Sequence, residues 1–262
     1  YLCHKKEIKM QKLTAITVTL IMLIAASCGG GTGDTGGRNK KSGHVPDTGY
    51  TGIRNYIRND VKVKEEEYKN GVKSGMTRTF YKGGVIEQEI LYADGKKNGE
   101  ARWYYPDSKL FRVTPYVNDT IHGSQIQYYK SGRVKARIDY VDGKRLPGLE
   151  EYTMNGEKVT GYPGIIYRSN DRYGERGMYK LFIEMTDLSE NVKYFRGDLV
   201  NGLVDMDSLK PLLQTATTGY LDLLKTPGHK ADSVVVVASY LTGFGNRIYY
   251  RLAIPLPYKD LN

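Results

Sequence analysis

KSGMTRTFYKGGVIEQEILYADGK (73–96), KNGEARWYYPDSKLFRVTPYVNDT (97–120) and IHGSQIQYYKSGRVKARIDYVDGK (121–144) are consecutive stretches of equal length that match column by column. Tyr68, Tyr92, Tyr116 and Tyr140 recur every 24 residues, and so do Gly75, Gly99 and Gly123, with Gly148 one place late. Phe80, Tyr104, Tyr128 and Tyr152 form another column, Tyr81, Tyr105 and Tyr129 a third, and glycines repeat at 71, 95 and 143 and at 84, 132 and 156. A fixed period of this length over so many columns marks a repeat architecture. Ser108 and Asp119 stand where other copies carry glycine, and both are polar residues that tolerate tight turn geometry. A fainter copy with Tyr56, Asn59 and Asp60 places the start of the array near Thr51.

Each unit reads as two short strands. MTRTFY (76–81) carries the aromatic pair, KGG turns the chain, and VIEQEILY (85–92) alternates apolar and polar residues before ADGKKNG closes the unit. Because a lone hairpin is marginally stable, such units stack into a meandering antiparallel sheet in which each buries its aromatic rows against the next. The abundance of tyrosine, 23 Tyr against 5 Phe and 1 Trp, suits thin, half-exposed sheets. The recurring order of Gly, Tyr-Tyr, Asn/Ser-Gly and Tyr, as in KNGEARWYYPDSKL and IHGSQIQYYKSGRV, resembles the bacterial MORN-repeat variant family over about residues 51–159. The resemblance implies a β-hairpin repeat sheet. It also implies a link to antitoxin components of toxin–antitoxin systems, a description under which such bacterial proteins often go.

Ahead of the repeats lies an export signal. From Met10, MQKLTAITVTLIMLIAASC joins a lysine-bearing start to an apolar run over 13–26 and small residues before Cys28. The run is short for a membrane span, and Ala25, Ala26 and Ser27 suit cleavage ahead of Cys28. This resembles a bacterial lipobox, with Ala25 at the place usually held by leucine, and it implies lipidation of Cys28. Residues 1–28 are thus expected to be a signal peptide whose true start is Met10, and residues 29–50, rich in glycine and poor in apolar side chains, a flexible tether. Gly29 rather than Asp follows Cys28, which favours an outer-membrane destination if the organism has one. The expected localisation is the cell envelope, lipid-anchored, and an exported antitoxin would not meet a cytoplasmic toxin. Cys3 and Cys28 are the only cysteines, so the body of the chain has no thiol for a disulfide, a nucleophile or zinc.

Beyond the repeats, assigned to residues 51–160, the 24-residue register stops at Gly161 and a second domain is expected over 161–262. KLFIEM (180–185) and NVKYFR (191–196) read as strands, and SVVVVASYLTGFGNRIYYRLAIPL (233–256) as two more around a turn at GFGN. Between these pairs, Asp207 or Ser208 is expected to cap a helix carrying Leu209, Leu212, Leu213, Ala216, Tyr220 and Leu224, with Pro211 in its first turn and TPG as its stop. The expected fold is therefore mainly β, an antiparallel β-hairpin repeat sheet followed by a small α+β unit of ββαββ order, the helix covering one face of the run 234–238.

Catalytic signals are weak. Asp205 and Asp207 form a DxD without the surrounding parallel sheet and further acids that would make it a magnesium site, and a helix cap is the simpler role. His4, His44, His122 and His229 are scattered, without zinc spacing, and no nucleophile motif is present. No cofactor, no metal and no enzymatic activity are expected; an enzyme built around Asp205 and Asp207 is one alternative and an antitoxin or immunity-like protein another. A net charge of +10 suggests nucleic acid, but export argues against that partner. The candidate binding surface is instead the aromatic and basic face of the repeats, Arg78, Tyr81, Arg102, Trp103, Tyr105, Tyr129 and Arg133, with Arg112 and Lys130 beside them. Its expected partners are an envelope protein, a glycan or anionic lipid, and the competing role for each side chain is a cross-strand pair within the sheet.

Overall fold

The computed structural model describes residues 48–262. Cys28, the leader and nearly all of the expected tether lie outside the described residues. The repeats form an eleven-stranded antiparallel sheet. β1 (Gly52–Arg58), β2 (Val61–Lys69), β3 (Val72–Phe80), β4 (Ile86–Ala93), β5 (Lys96–Tyr104) and β6 (Leu110–Val117) lie side by side in chain order. The short β7 (Thr120–Ile121) pairs with β6, β8 (Gly123–Tyr128) and β9 (Val134–Val141) continue the sheet, and β10 (Lys144–Arg145) and β11 (Glu150–Glu151) both pair with β9.

Two turns alternate along the array. At one end of the sheet the central pairs Asn70-Gly71, Asp94-Gly95, Asn118-Asp119 and Asp142-Gly143 all have positive φ, between 47° and 81°, the mirror-image turn whose twist suits a two-residue hairpin. At the other end Tyr81, Tyr105 and Tyr129 open five-residue turns that need a left-handed residue at 84, 108 and 132. Ser108, at φ 64°, and Asp119, at φ 69°, take the left-handed geometry that glycine supplies in the other copies.

The inner column of the sheet runs Glu66, Thr77, Ile90, Ala101, Thr114, Gln125, Ile138, all buried. Beside it, Gly75, Gly99 and Gly123 stand opposite Tyr92, Tyr116 and Tyr140. These glycines have φ of 103–110°, and a Cβ on Gly99 would meet Leu91 Cδ2 at 3.0 Å, so the repeated glycine answers both backbone conformation and close approach.

The chain then builds two four-stranded antiparallel sheets that share one core. Their elements are β12 (Ile165–Arg172), a single turn of helix α1 (Tyr173–Arg176), β13 (Met178–Met185), β14 (Val192–Arg196), β15 (Lys210–Pro211), β16 (Leu213–Gln214), β17 (Thr218–Leu224), β18 (Ser233–Leu241) and β19 (Arg247–Pro255). One sheet is ordered β12-β13-β17-β16 and the other β15-β14-β18-β19. Leu181, Ile183, Met185 and Leu223 of the first sheet pack against Tyr194, Val236, Ala238 and Ile254 of the second, in the alternating pattern of a sandwich. KLFIEM and NVKYFR are strands as expected, but they sit in opposite sheets, and GFGN turns the β18–β19 hairpin.

The helix expected from Asp207 to Leu224 does not form, so the ββαββ unit is corrected to an all-β sandwich. Asp205 caps only a 3-10 turn, Met206–Ser208, after which the chain pairs briefly with each sheet edge in turn as β15 and β16 and then enters β17. Thr215, Thr217 and Thr218 favour extended backbone. Gly219 is required under Tyr194, whose Cδ2 would lie 2.8 Å from an added Cβ, and Leu221 and Leu223 face the core with the period of a strand. The residues that gave the helical spacing share no face: Leu209 is buried, whereas Leu213 and Leu224 are exposed. The run 234–238 is covered on both faces as expected, by the opposing sheet on one and by Phe195 and Leu209 on the other, with no helix involved.

Candidate recognition surface

The residues expected to form one binding face are distributed over three places. Arg78 and Arg102 lie in a row of alternating charge, Glu65–Arg78–Glu89–Arg102, formed by cross-strand partners of β2 to β5. Arg78 bridges its neighbours, Nη1 donating to Glu65 Oε1 and Nε to Glu89 Oε1, each at 2.8 Å. Glu89 and then Glu65 hold the Arg78 guanidinium above its ordinary value. Arg102 instead donates to Glu100 on its own strand at 2.8 Å. These arginines chiefly stitch the sheet.

Tyr81, Tyr105 and Tyr129 line up at the five-residue turns, and each donates its hydroxyl to the main-chain carbonyl of the residue 23 positions on: Tyr104 at 2.7 Å, Tyr128 at 3.0 Å and Tyr152 at 2.7 Å. Burial pushes the phenols of Tyr105 and Tyr129 upward, keeping them neutral donors. Arg133 reaches Met154 O at 3.0 Å in the same copy-to-copy manner. The periodic tyrosines are therefore rivets between copies, each contributing about 1 kcal/mol.

Trp103 follows Arg102 on β5 and so faces the other side of the sheet. There it pairs across the strands with Arg112, whose Cζ lies 4.1 Å from the indole centroid, a cation–π contact between half-buried side chains. The row continues on either side with Gln88 and Gln127. Arg112 has no carboxylate within ion-pair distance among the described residues, and its Nε is buried without a hydrogen-bond partner. An aromatic plane and a guanidinium with no carboxylate beside it form the part of the repeat face whose polar capacity the sheet leaves unused. The same face carries Lys73 over Tyr92 at 4.7 Å and Lys97 over Tyr116 at 5.0 Å, which extend the pattern at the copies' period. Lys130 caps Tyr105 at 5.5 Å.

Sequence inspection missed the buried acids. Glu66, on the inner column, meets Lys64 and Lys73 at 2.6 and 2.7 Å and accepts from Tyr56 and Tyr68 at 2.6 and 2.7 Å. Burial alone would raise its pKa, but Lys64, Lys73 and the two phenols overcome this and hold it at about 2. Glu151, fully buried where the sheet meets the sandwich, accepts from Thr242 and Asn246 at 2.9 and 2.7 Å and from Tyr162 at 2.5 Å. Gln127 also reaches Asn246, at 2.9 Å, so the Trp103–Arg112 row ends on the GFGN turn. The 24-residue register puts Glu66 in the column of Ile90, Thr114 and Ile138, the signal by which it could have been found; the two-residue β11 offers no such pattern for Glu151.

Asp205 is held by Lys144 and caps the 3-10 turn through Asp207 N at 3.2 Å. His122 contacts Asp142 at 3.1 Å in an exposed position. His4 and His44 lie outside the described residues, and among the described residues no three His, Cys, Asp or Glu converge on a point that could hold a metal ion.

The MORN repeat variant family matches residues 97–118, the stretch from β5 to the turn after β6 that carries Trp103 and Arg112. No curated protein matches the chain.

Proposed function

We propose that this protein is a non-enzymatic, lipid-anchored component of the cell envelope whose repeat sheet is a rigid recognition or scaffolding surface centred on Trp103 and Arg112. The observation that carries this reading is the contrast between the repeat tyrosines and Arg78, committed to bonds within the sheet, and Arg112, which rests on Trp103 with its Nε unpartnered and no carboxylate beside it among the described residues. A planar guanidinium on an indole can stack on a sugar ring, take a headgroup anion or dock a partner's acidic side chain. The MORN repeat variant match supports a binding or scaffolding role and names no ligand. The export signal and Cys28 supply the anchor: each acyl methylene contributes about 0.8 kcal/mol, so several chains hold a protein durably without a membrane helix.

Two experiments test it. Palmitate labelling of growing cells should tag the chain and fail for Cys28→Ser; a soluble, unprocessed, unlabelled product would overturn the envelope assignment and restore the intracellular antitoxin reading. Crosslinking in intact envelopes followed by mass spectrometry should capture a partner that R112Q loses while its melting temperature stays within a few degrees of wild type. Equal capture by R112Q would remove this row from the site.

A further inference from the structure

The outer face of the sheet β15-β14-β18-β19 holds a groove of about 400 Å³, within the range of small-molecule sites. Phe195, Tyr249, Met206 and Pro211 provide apolar walls, and Lys193 and Arg247 provide charge. Lys193, Ser239 and Tyr249 are successive cross-strand partners on β14, β18 and β19, so the floor is a single row of the sheet. Arg247 is held in place by Ser239, Nη1 donating to Oγ at 3.1 Å. Next to these residues Arg145 of the last repeat braces the groove's wall without lining it: its Cζ lies 5.4 Å from the Tyr249 ring centroid and its Nη2 donates to the Arg247 carbonyl.

The cations around this groove divide into two sets. Lys144 is paired with Asp205, and Arg251, one step further along β19, is clamped by both oxygens of Asp198 at 2.6 and 2.8 Å. Arg145, Lys193 and Arg247 have no carboxylate within ion-pair distance among the described residues. Lys193 and Arg247 bring two positive groups to this apolar floor with no carboxylate within ion-pair distance of either among the described residues, which leaves both free to meet an anion. Walls of phenyl, phenol and thioether suit the body of such an anion, and guanidinium groups suit a carboxylate head.

From this arrangement we infer that the groove is a binding site for a small organic anion, a carboxylate on an aromatic body, whose head meets Arg247 and Lys193 and whose ring lies against Tyr249 and Phe195. The site is separate from the Trp103–Arg112 row. Calorimetric titration of the purified full chain with 2-naphthoate, and with 2-naphthamide as its neutral counterpart, tests it. Naphthoate is expected to saturate with a Kd below about 1 mM. The amide, R247Q and K193Q should each weaken binding about tenfold, the scale of one charged hydrogen bond. R112Q should leave naphthoate binding unchanged, so the two sites fail independently. Lys193 is exposed, so K193Q keeps the test open should R247Q not fold. Absence of saturable naphthoate binding up to about 10 mM, equal affinity for the amide, or full affinity in both K193Q and R247Q would overturn the assignment.

Discussion

Ser108 is a non-glycine residue in a left-handed turn position, at φ 64°, where its counterparts in neighbouring copies are glycine. Ser108→Gly should therefore raise stability by about 1 kcal/mol, read as an increased denaturant midpoint at unchanged slope. The reverse holds at Gly219. An alanine there drives its Cβ against the buried Tyr194 ring, and G219A should cost about 1–3 kcal/mol by the same measurement. Glu66 gives a pH signature. Its pKa is depressed to about 2 in the fold, so its contribution is fully present above its unfolded value and is lost as pH falls from about 4.5 towards 2. The contribution amounts to up to roughly 3 kcal/mol. Melting temperatures of wild type and E66Q should converge across that window; a constant gap down to pH 2 would show that the carboxylate contributes no charge-dependent stability.

At the scale of elements, the repeat is a hairpin joined to its neighbours by ladder bonds and one tyrosine rivet per copy. Y105F removes the bond to Tyr128 O without changing the packed volume, and should cost about 1 kcal/mol and speed amide exchange locally in β5 and β8. An unchanged exchange pattern would mean that the ladder alone fixes the copies. The strands, both turn types and the left-handed positions were legible in the sequence, because residues 24 apart meet in space and each copy tests the reading of the others. The segment 205–224 had no such check. Its leucines fit a helix stripe, and Gly219 and the threonines were the local evidence for a strand. What decided between them was Tyr194, more than twenty residues upstream, which needs the glycine beneath its ring.

Across residues 48–262, the last repeats meet the sandwich through Glu151, Gln127, Arg145 and Lys144, whose partners lie on the GFGN turn, on Arg247 and on Asp205. E151A would leave Tyr162, Thr242 and Asn246 without their common acceptor. Calorimetry should then show a loss of about 2–4 kcal/mol and separation of repeat and sandwich unfolding into two transitions, against one in wild type. Retention of a single transition would mean that other contacts weld the parts. By itself the sequence determined the repeat sheet, its period and its turns, since each depends on local pattern. The tertiary structure alone decided that the second part is a sandwich, that Arg78 and the repeat tyrosines are bound within the sheet, and that Lys193 and Arg247 line one groove with no carboxylate beside them. Those outcomes depend on residues far apart in the chain, and whether a charge is neutralised is a property of distance in space that no spacing along the sequence encodes.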